Sequence, residues 1–427
     1  MENLLTPIFL QLFCEKNSDG TKSLRLKGRE LDQRKGVRLD CSDMMPICDF
    51  LNDNPDVVDL DICYNNIGDK GMYLFKTMYL KNENNMRHLN MASCSLTWKS
   101  IEQLYMVVDT LKLKTLKLTG NKLGKEGGRF IGMLLQKNNT ITHLDLGDTD
   151  QTMASVPFLM TILRSDYSTN TSIRIFDMSR IIPSSLYYTY DSGDLAEHLG
   201  NMLKMNTTLY ELHMQKCGFD GHDIERMLYG MKFNTTLIML DLGNNQFGDH
   251  GVELIARWLR TRPPLLGLNV CGNSIKGTGC KALSKHLPFS KIRLLDISRN
   301  CIDDISIRDL LYTIKKPYQM RMLYMWGNNI GKEALCELDR LIKVGAFDPE
   351  RLDVRIYEVD GLLYHAYVPE DHYKHRYYGV MDHGCAVELK IKRNIIEDEF
   401  TYPRNLTNFK YYNKIPAAPG SPRKPVC

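Results

Sequence analysis

Aliphatic residues recur along most of the chain in the pattern L-x-x-L-x-L-x-x-N-x-I/L. The pattern is clearest in four stretches, which begin at Leu237, Leu265, Ile292 and Met320. Within each stretch, the alternation of aliphatic and polar residues predicts a short β-strand with one buried face. The residues that follow Gly248, VELIARWL, instead place apolar side chains at helical spacing. Each copy of the pattern therefore predicts a strand followed by a helix.

The repeated unit extends from residue 23 to residue 357 in about 11 copies. Parallel strands joined by helices form right-handed crossovers, and neither element buries its apolar face without a neighbouring copy. The ninth place of the pattern often holds asparagine. Its side-chain amide is expected to bond backbone groups where the strand turns inward, because an unpaired buried polar group costs ~1–3 kcal/mol. We call this row the asparagine ladder, and its members are Asn65, Asn121, Asn245, Asn273, Asn300 and Asn328.

Some copies lack asparagine at the ninth place. Cys94 and Cys217 retain a weak hydrogen-bond donor there, whereas Thr149 and Ile181 interrupt the row in two consecutive copies. An insertion follows the second interruption and extends to Asp191. This insertion is either a local irregularity of the array or a loop enlarged to recognise a binding partner.

These motifs resemble the leucine-rich repeat superfamily, and the spacing of 27 or 28 residues between the last copies resembles its ribonuclease-inhibitor-like class. The uninterrupted array with a short aromatic tail resembles the leucine-rich-repeat-containing protein 34 group. The resemblance implies an α/β solenoid, or horseshoe, with a parallel concave β-sheet, outer helices and caps at both ends. The expected organisation is a capping helix over residues 1–22, the array over 23–357, a C-terminal cap over 358–400 and a flexible basic arm over 401–427.

Charge and cysteine content narrow the classes of protein. The chain has 55 basic and 51 acidic residues and a net charge of +4, which is too balanced for a dedicated nucleic-acid binder. No apolar run approaches the ~20 residues that a membrane-spanning helix needs. The 12 cysteines are scattered through a long chain rather than concentrated in a small secreted domain. Reduced thiols and a cytoplasmic location are therefore expected.

The sequence contains no motif typical of catalysis, of a cofactor site or of a strong metal site. The segment from Gly120 to Lys125 resembles a phosphate-binding loop superficially, but its glycines belong to the repeat. His372, His375 and His383 have none of the spacings of a strong zinc site. We therefore expect no enzymatic activity, no catalytic residue, no cofactor and no bound metal.

The polar residues between the strand leucines are expected to face the concave side, which is the usual binding surface of such arrays. Neighbouring parallel strands lie ~4.8 Å apart, so carboxylates at this place in consecutive copies should be close together. They form either an acidic stripe that recruits a basic partner or simply a common version of the repeat. The residues of the candidate stripe are Asp145, Asp177, Asp241 and Asp296.

The last full copy differs because it places Met322, Tyr324 and Trp326 on the same side. Methionine and aromatic side chains are enriched at protein interfaces, which predicts a contact with a partner. The alternative is that the C-terminal cap covers these three side chains.

From Thr401 onward the composition changes to five basic residues, five prolines and no acidic residue. Such a composition does not build a core, and it predicts a flexible arm that binds an acidic surface, with tubulin as a candidate. The alternative is a solvated terminus with no binding role. The basic residues of the arm are Arg404, Lys410, Lys414, Arg423 and Lys424.

These features together predict a protein–protein interaction scaffold within a multi-protein assembly. The resemblance to the protein 34 group implies a structural component of a ciliary, axonemal or cytoskeletal assembly. The alternative is a regulator of a small GTPase or a nuclease, since the same class includes Ran GTPase-activating proteins and ribonuclease inhibitors. The basic tail and the near-neutral charge of this chain count against that alternative, because the former carry an acidic tail and the latter are strongly acidic.

Overall fold

A twelve-stranded β-sheet extends through the molecule in sequence order, and two further strands form a separate hairpin. The computed structural model of the protein describes residues 5–36, 38–167, 170–182, 190–315 and 320–368. Within these ranges the strands are β1 Cys14–Lys16, β2 Lys22–Arg25, β3 Val57–Asp61, β4 His88–Asn90, β5 Thr115–Lys117, β6 His143–Asp145, β7 Ile175–Asp177, β8 Glu211–His213, β9 Met239–Asp241, β10 Gly267–Asn269, β11 Leu294–Asp296, β12 Met322–Tyr324, β13 Val354–Val359 and β14 Leu362–Tyr367.

Helices alternate with the strands from β2 to β12, and helices of successive copies pack against one another. The first copy holds two helices, α2 and α3. Within the described ranges the helices are α1 Pro7–Leu12, α2 Gly28–Lys35, α3 Met44–Asp53, α4 Gly68–Phe75, α5 Trp98–Tyr105, α6 Gly124–Lys137, α7 Val156–Ile162, α8 Ser192–Met205, α9 Gly221–Met231, α10 Gly248–Leu259, α11 Gly277–His286, α12 Asp304–Leu311 and α13 Lys332–Lys343.

The strands share one register. The middle residues of β5, β6 and β7, which are Leu116, Leu144 and Phe176, are direct partners in the sheet. β1 is antiparallel to β2, and the later neighbours in the sheet are parallel. The predicted α/β leucine-rich repeat solenoid with a parallel sheet is therefore confirmed.

One hydrophobic core lies between the sheet and the helices along the array. Leu144 of β6 is fully buried, and Leu134 and Leu135 of α6 are each 1% exposed. Burying a leucine side chain is worth roughly 1.5–3 kcal/mol. Because each copy shares this core with the copies on either side, no copy buries its apolar face alone.

Asn121 illustrates how the asparagine ladder satisfies backbone groups that the sheet leaves unpaired. Its Nδ2 donates to the carbonyl oxygens of Met91 at 2.9 Å and Leu118 at 2.7 Å. Its Oδ1 accepts the N–H groups of Cys94 at 2.9 Å and Leu96 at 3.0 Å. One buried side chain thus joins the turn of its own copy to that of the preceding copy.

Other members of the ladder make the same type of contact. The residues that replace asparagine at the ninth place in some copies make only part of it. Asn245 and Asn300 each donate to a carbonyl of their own copy and to one of the preceding copy. Cys94 donates through sulfur to the Ile62 carbonyl at 3.1 Å, and Thr149 donates to a carbonyl of its own copy. A side chain such as that of Ile181 has no polar atom to contribute. The remaining ladder asparagines, Asn65, Asn273 and Asn328, also donate to backbone carbonyls.

A second row of buried asparagines lies where helices lead into strands. Asn138, Asn170, Asn206 and Asn234 are each between 3 and 6% exposed, and the Nδ2 of each donates to a backbone carbonyl of the preceding copy. Each Oδ1 accepts the N–H of the serine or threonine two residues later. The triplet N-x-S/T is also the acceptor motif for N-linked glycosylation. At these four positions the motif has a structural explanation, because the asparagine nitrogen to which a glycan would be attached is buried and hydrogen-bonded.

The two ends of the described array differ in construction. At the first end, α1 and the antiparallel strand β1 lie against β2 and α3. At the other end, Asp353 accepts the N–H groups of Met325 at 2.8 Å and Trp326 at 2.9 Å. The hairpin β13–β14 follows, with the Trp326 ring 5.4 Å from that of His365 and 5.0 Å from that of Tyr367. The position where the sequence predicts the end of the array, residue 357, lies inside β13.

We predict that Asn300→Ala lowers the stability of the protein more than Asn273→Ala does. Asn300 accepts the N–H groups of Asn273 and Ile275 at 2.8 and 3.1 Å, whereas the Asn273 Oδ1 has no hydrogen-bond partner among the described residues. Two buried N–H groups lose their acceptor in the first variant, at ~1–3 kcal/mol each. Urea unfolding followed by circular dichroism measures both changes, and equal losses would contradict this assignment of the accepting oxygen.

Candidate functional site: the concave face

Alternate residues of the strands point away from the core and line the concave face. In each copy from β2 to β12 the last residue of the strand occupies the same place, and we call this line the middle row. Its members lie next to one another because the strands share a register, so that Asp145 pairs with Asp177 and His213 pairs with Asp241. The middle row comprises Arg25, Asp61, Asn90, Lys117, Asp145, Asp177, His213, Asp241, Asn269, Asp296 and Tyr324.

The acidic residues of the middle row close the turn at the end of each strand. A carboxylate oxygen of Asp145 accepts the N–H of Gly147 at 3.0 Å, and Asp177 accepts that of Ser179 at 2.8 Å. Asp241 and Asp296 bond the residue two places later in the same way. Asparagine serves equally well, because the Oδ1 atoms of Asn90 and Asn269 make the equivalent bonds. Short polar side chains are thus favoured at this place for a local structural reason.

The four acids of the predicted stripe are brought onto one face, and all are buried. Asp241 is 0% exposed, and Asp145, Asp177 and Asp296 are 2, 5 and 5% exposed. Asp145 and Asp177 are direct partners on adjacent strands, whereas one strand separates Asp241 from Asp177 and another separates Asp296 from Asp241. Whether a partner recognises them stays a prediction.

A polar cluster centred on His213 occupies the middle of the concave face. The imidazole Nδ1 lies 3.2 Å from a carboxylate oxygen of Asp241, and its Nε2 lies 3.4 Å from one of Glu211. The same Asp241 accepts hydrogen bonds from the side-chain amides of Gln215 and Asn269, both at 2.8 Å. We refer to these five residues as the His213 cluster.

The acidic neighbours favour a charged imidazole at the centre of this cluster. Burial opposes charge on His213, but the hydrogen bonds to Asp241 and Glu211 outweigh it and hold its pKa well above the usual value. On the adjacent strand, burial and then the nearby Asp145 carboxylate raise the pKa of Asp177. The concave face therefore contains groups of opposite charge whose protonation depends on one another.

Beyond the His213 cluster, the concave face becomes apolar. Met239, Leu294 and Tyr324 form a small hydrophobic cluster separate from the main core, and Leu266 and Met322 pack against it. Tyr324 is only 2% exposed.

Of the three large side chains predicted to contact a partner, Met322 and Trp326 are partly buried. Trp326 packs against the hairpin, so the C-terminal segment covers part of it. Burial raises the pKa of Asp353 to about 7, although the hydrogen bonds from the N–H groups of Met325 and Trp326 oppose this shift.

Several predicted residues cannot be placed. Arg404, Lys410, Lys414, Arg423 and Lys424 lie outside the described residues, as do the three tail histidines and most of the predicted cap over 358–400. Within the part of the chain that the structure describes, no helix is both long enough and apolar enough to cross a bilayer.

Sequence inspection overlooked Glu211 and Gln215. They lie two residues before and two residues after His213, which was the available signal. Glu211 contacts His213 itself, whereas the bond from Gln215 to Asp241 depends on the pairing of β8 with β9 and becomes apparent only once the register is known.

The raised pKa of Asp177 predicts a pH-dependent contribution to stability. A folded-state pKa above the value of ~3.9 in the unfolded chain means that the folded form binds more protons, so this contribution decreases as pH rises from about 4 towards neutrality. Asp177→Asn retains the local hydrogen-bond acceptor and removes the charge. The stability of the variant relative to the parent should therefore increase by on the order of 1–3 kcal/mol between pH 5 and pH 8.

Urea unfolding at the two pH values measures this difference. Asp109→Asn, which removes an exposed carboxylate, is the control and should show no such trend. A difference between Asp177→Asn and the parent that does not change with pH would contradict the prediction.

The strand-and-helix copies match a known family. A family model described as Leucine Rich repeat matches residues 53–75, 111–132 and 233–256, and each match covers one strand with its following helix. The mouse (Mus musculus) Leucine-rich repeat-containing protein 34 is 28% identical over 236 residues. The alignment covers 55% of this chain and 55% of the mouse protein, so the chain spans about half the length of that curated relative.

Two solved structures are similar to part of the chain at low identity. The TLR13 chain of a TLR13–ssRNA13 complex is 18% identical with a TM-score of 0.37, over 69% of this chain and 35% of that chain. A chain of the yeast Rad7 and Elc1 complex is 14% identical with a TM-score of 0.43, over 72% of this chain and 84% of that chain. From its repeats and its matches, the chain contains leucine-rich repeats and resembles leucine-rich repeat-containing protein 34.

Proposed function

We propose that this protein is a non-enzymatic scaffold that binds other proteins through its concave face, and that the bound partner presents a basic segment. The observation that carries the proposal is the accumulation of acidic side chains across consecutive strands from β6 to β11. Acidic side chains occupy concave positions on five of these six strands, and the residues are Asp145, Asp177, Glu211, Asp241 and Asp296.

Burial of these carboxylates does not remove their effect on a partner. The potential over a concave surface is the sum of all the charges that line it, and low-dielectric walls focus that potential. His213 compensates for part of the negative charge, and Asp177 contributes least near neutral pH because its pKa is raised. The remaining carboxylates favour the approach of lysine- or arginine-rich segments.

The apolar end of the concave face supplies the second component of a binding surface. Met322 and Trp326 remain partly accessible beside the buried Tyr324. Interfaces gain much of their affinity from aromatic and methionine side chains that become fully desolvated on binding. A partner with basic residues next to an apolar anchor would match both ends of this face.

We propose a ciliary, axonemal or cytoskeletal assembly as the setting. The support is the resemblance to leucine-rich repeat-containing protein 34, together with the composition of residues 401–427. That segment carries five basic residues and no acidic one, which suits an acidic surface such as that of tubulin.

Proximity labelling in ciliated cells tests both parts of this proposal. We expect the chain to label axonemal or cytoskeletal neighbours, and we expect a concave variant to lose the basic ones several-fold because three carboxylates are removed from its concave face. Asparagine is the appropriate substitute, since Asn90 and Asn269 make the same turn contacts. The concave variant combines Asp145→Asn, Asp177→Asn and Asp296→Asn.

The matched control removes three exposed carboxylates, Asp49, Asp53 and Asp109, and should keep all neighbours. Circular dichroism establishes that both variants are folded. Identical neighbours for the parent and the concave variant would overturn the role of the concave face. Labelling without axonemal or cytoskeletal proteins would overturn the proposed setting.

A further inference from the structure

Two histidines occupy equivalent places in consecutive copies on the helical side of the array. His222 is the second residue of α9, and His250 lies 28 residues later near the start of α10. Because the copies repeat at this interval, the two imidazoles stand side by side, with ring centroids 5.5 Å apart. Glu225 lies one helical turn after His222, so all three side chains project from the same edge.

The geometry points to a zinc-binding site formed by His222, Glu225 and His250. One donor atom from each side chain lies within 4.8 Å of the donors from the other two, and the His222 Nδ1 is 3.9 Å from a carboxylate oxygen of Glu225. Two nitrogen or oxygen donors on a tetrahedral zinc ion, each at ~2.0–2.1 Å from the metal, lie roughly 3.3 Å apart. All three side chains are exposed, so small rotamer changes close the remaining distance without moving the backbone.

The chemistry of these donors suits zinc better than calcium or magnesium. Two neutral imidazoles and one carboxylate form a recognised zinc ligand set that leaves a fourth position open, whereas the harder cations prefer oxygen donors alone. Here the open side faces solvent. A water molecule or a side chain of a partner protein would complete the coordination.

Gly221 gives independent support, because it makes room for one of the proposed ligands. A Cβ atom at this position would lie 2.6 Å from the Cδ2 of His250. Glycine at this position therefore lets the His250 ring lie against the backbone of α9 without shifting. This close approach holds the imidazole of one copy beside that of the next.

The surrounding charges also favour a cation. His222 and Glu225 line a groove between α8 and α9 whose other walls include Asp191, Glu197 and Asp220. Asp220 caps the start of α9 by accepting the N–H of His222 at 2.8 Å. A helix N-terminus alone carries partial positive charge and would repel a metal ion, and these carboxylates offset that charge.

Such a site departs from the expectation that the chain binds no metal. No short sequence motif predicts this site, because His222 and His250 are one whole repeat apart. The period of the repeat is the signal that would have found it, since residues 28 apart become neighbours on the surface.

Isothermal titration of the full-length chain with zinc chloride tests the proposal. We expect a binding event that is lost, or weakened at least roughly tenfold, in His222→Ala and in His250→Ala. Glu225→Gln should weaken binding as well, and Gly221→Ala should do so without removing any ligand, because the new methyl group displaces the His250 ring. The tail histidines are present in every variant, so the comparison isolates the site on α9 and α10.

His198→Ala is the matched control. His198 lies on α8 with its Nε2 3.5 Å from Asp194, and it belongs to no group of three potential ligands among the described residues. Its removal should leave the titration unchanged. Zinc binding of the same stoichiometry and affinity in the parent, His222→Ala and His250→Ala would overturn the site. Since the side chains of His222, Glu225 and His250 are exposed, circular dichroism should show that the variants at these three positions remain folded.

Discussion

The structure depends on satisfying the backbone groups at the point where each strand turns inward to meet its helix. These N–H and C=O groups lie inside the array, away from water, and the short strands bond only part of them. The side-chain amide of a ladder asparagine has two donors and an acceptor, enough to join its own turn to the preceding one. Asn121 does this through four hydrogen bonds to four different residues. Neighbouring copies are therefore held together by both polar and hydrophobic contacts. The leucine core lies on one side of each turn, and the ladder asparagine lies within the turn.

This constraint also determines what the concave face can present. Because the ladder and the leucines set one register from β3 to β12, residues at the same place of successive copies become neighbours. The middle row must also close a turn, which restricts most of its members to short polar side chains. Acidic residues there serve the fold and at the same time add up to a negative surface. The two interpretations of the acidic row, a structural feature and a binding surface, are thus compatible.

The fold was predictable from sequence because the repeat is regular and each of its residue types has one physical role. The ladder positions and the strand leucines follow from spacing alone. The cluster around His213 was not predictable in the same way, since His213 and Gln215 reach Asp241 only through the pairing of β8 with β9, and Glu211 joins the cluster through His213. The burial of Tyr324 and the contact of Trp326 with the hairpin also depend on how the chain returns after β12, and no repeat predicts that path. The proximity of His222 and His250 could have been predicted from the sequence, but only by applying the period of the repeat to surface positions as well as to core positions.

Hydrogen exchange along the ladder tests the central claim most directly. The side-chain oxygens of Asn245 and Asn300 each accept the N–H of the ladder residue in the preceding copy, which is Cys217 for Asn245 and Asn273 for Asn300. Ile181 offers no such acceptor to the amide of Thr149. Measured by NMR or mass spectrometry on the native protein, the amides of Cys217 and Asn273 should exchange far more slowly than that of Thr149. Equal protection of all three amides would show that the asparagine side chains do not hold the turns together.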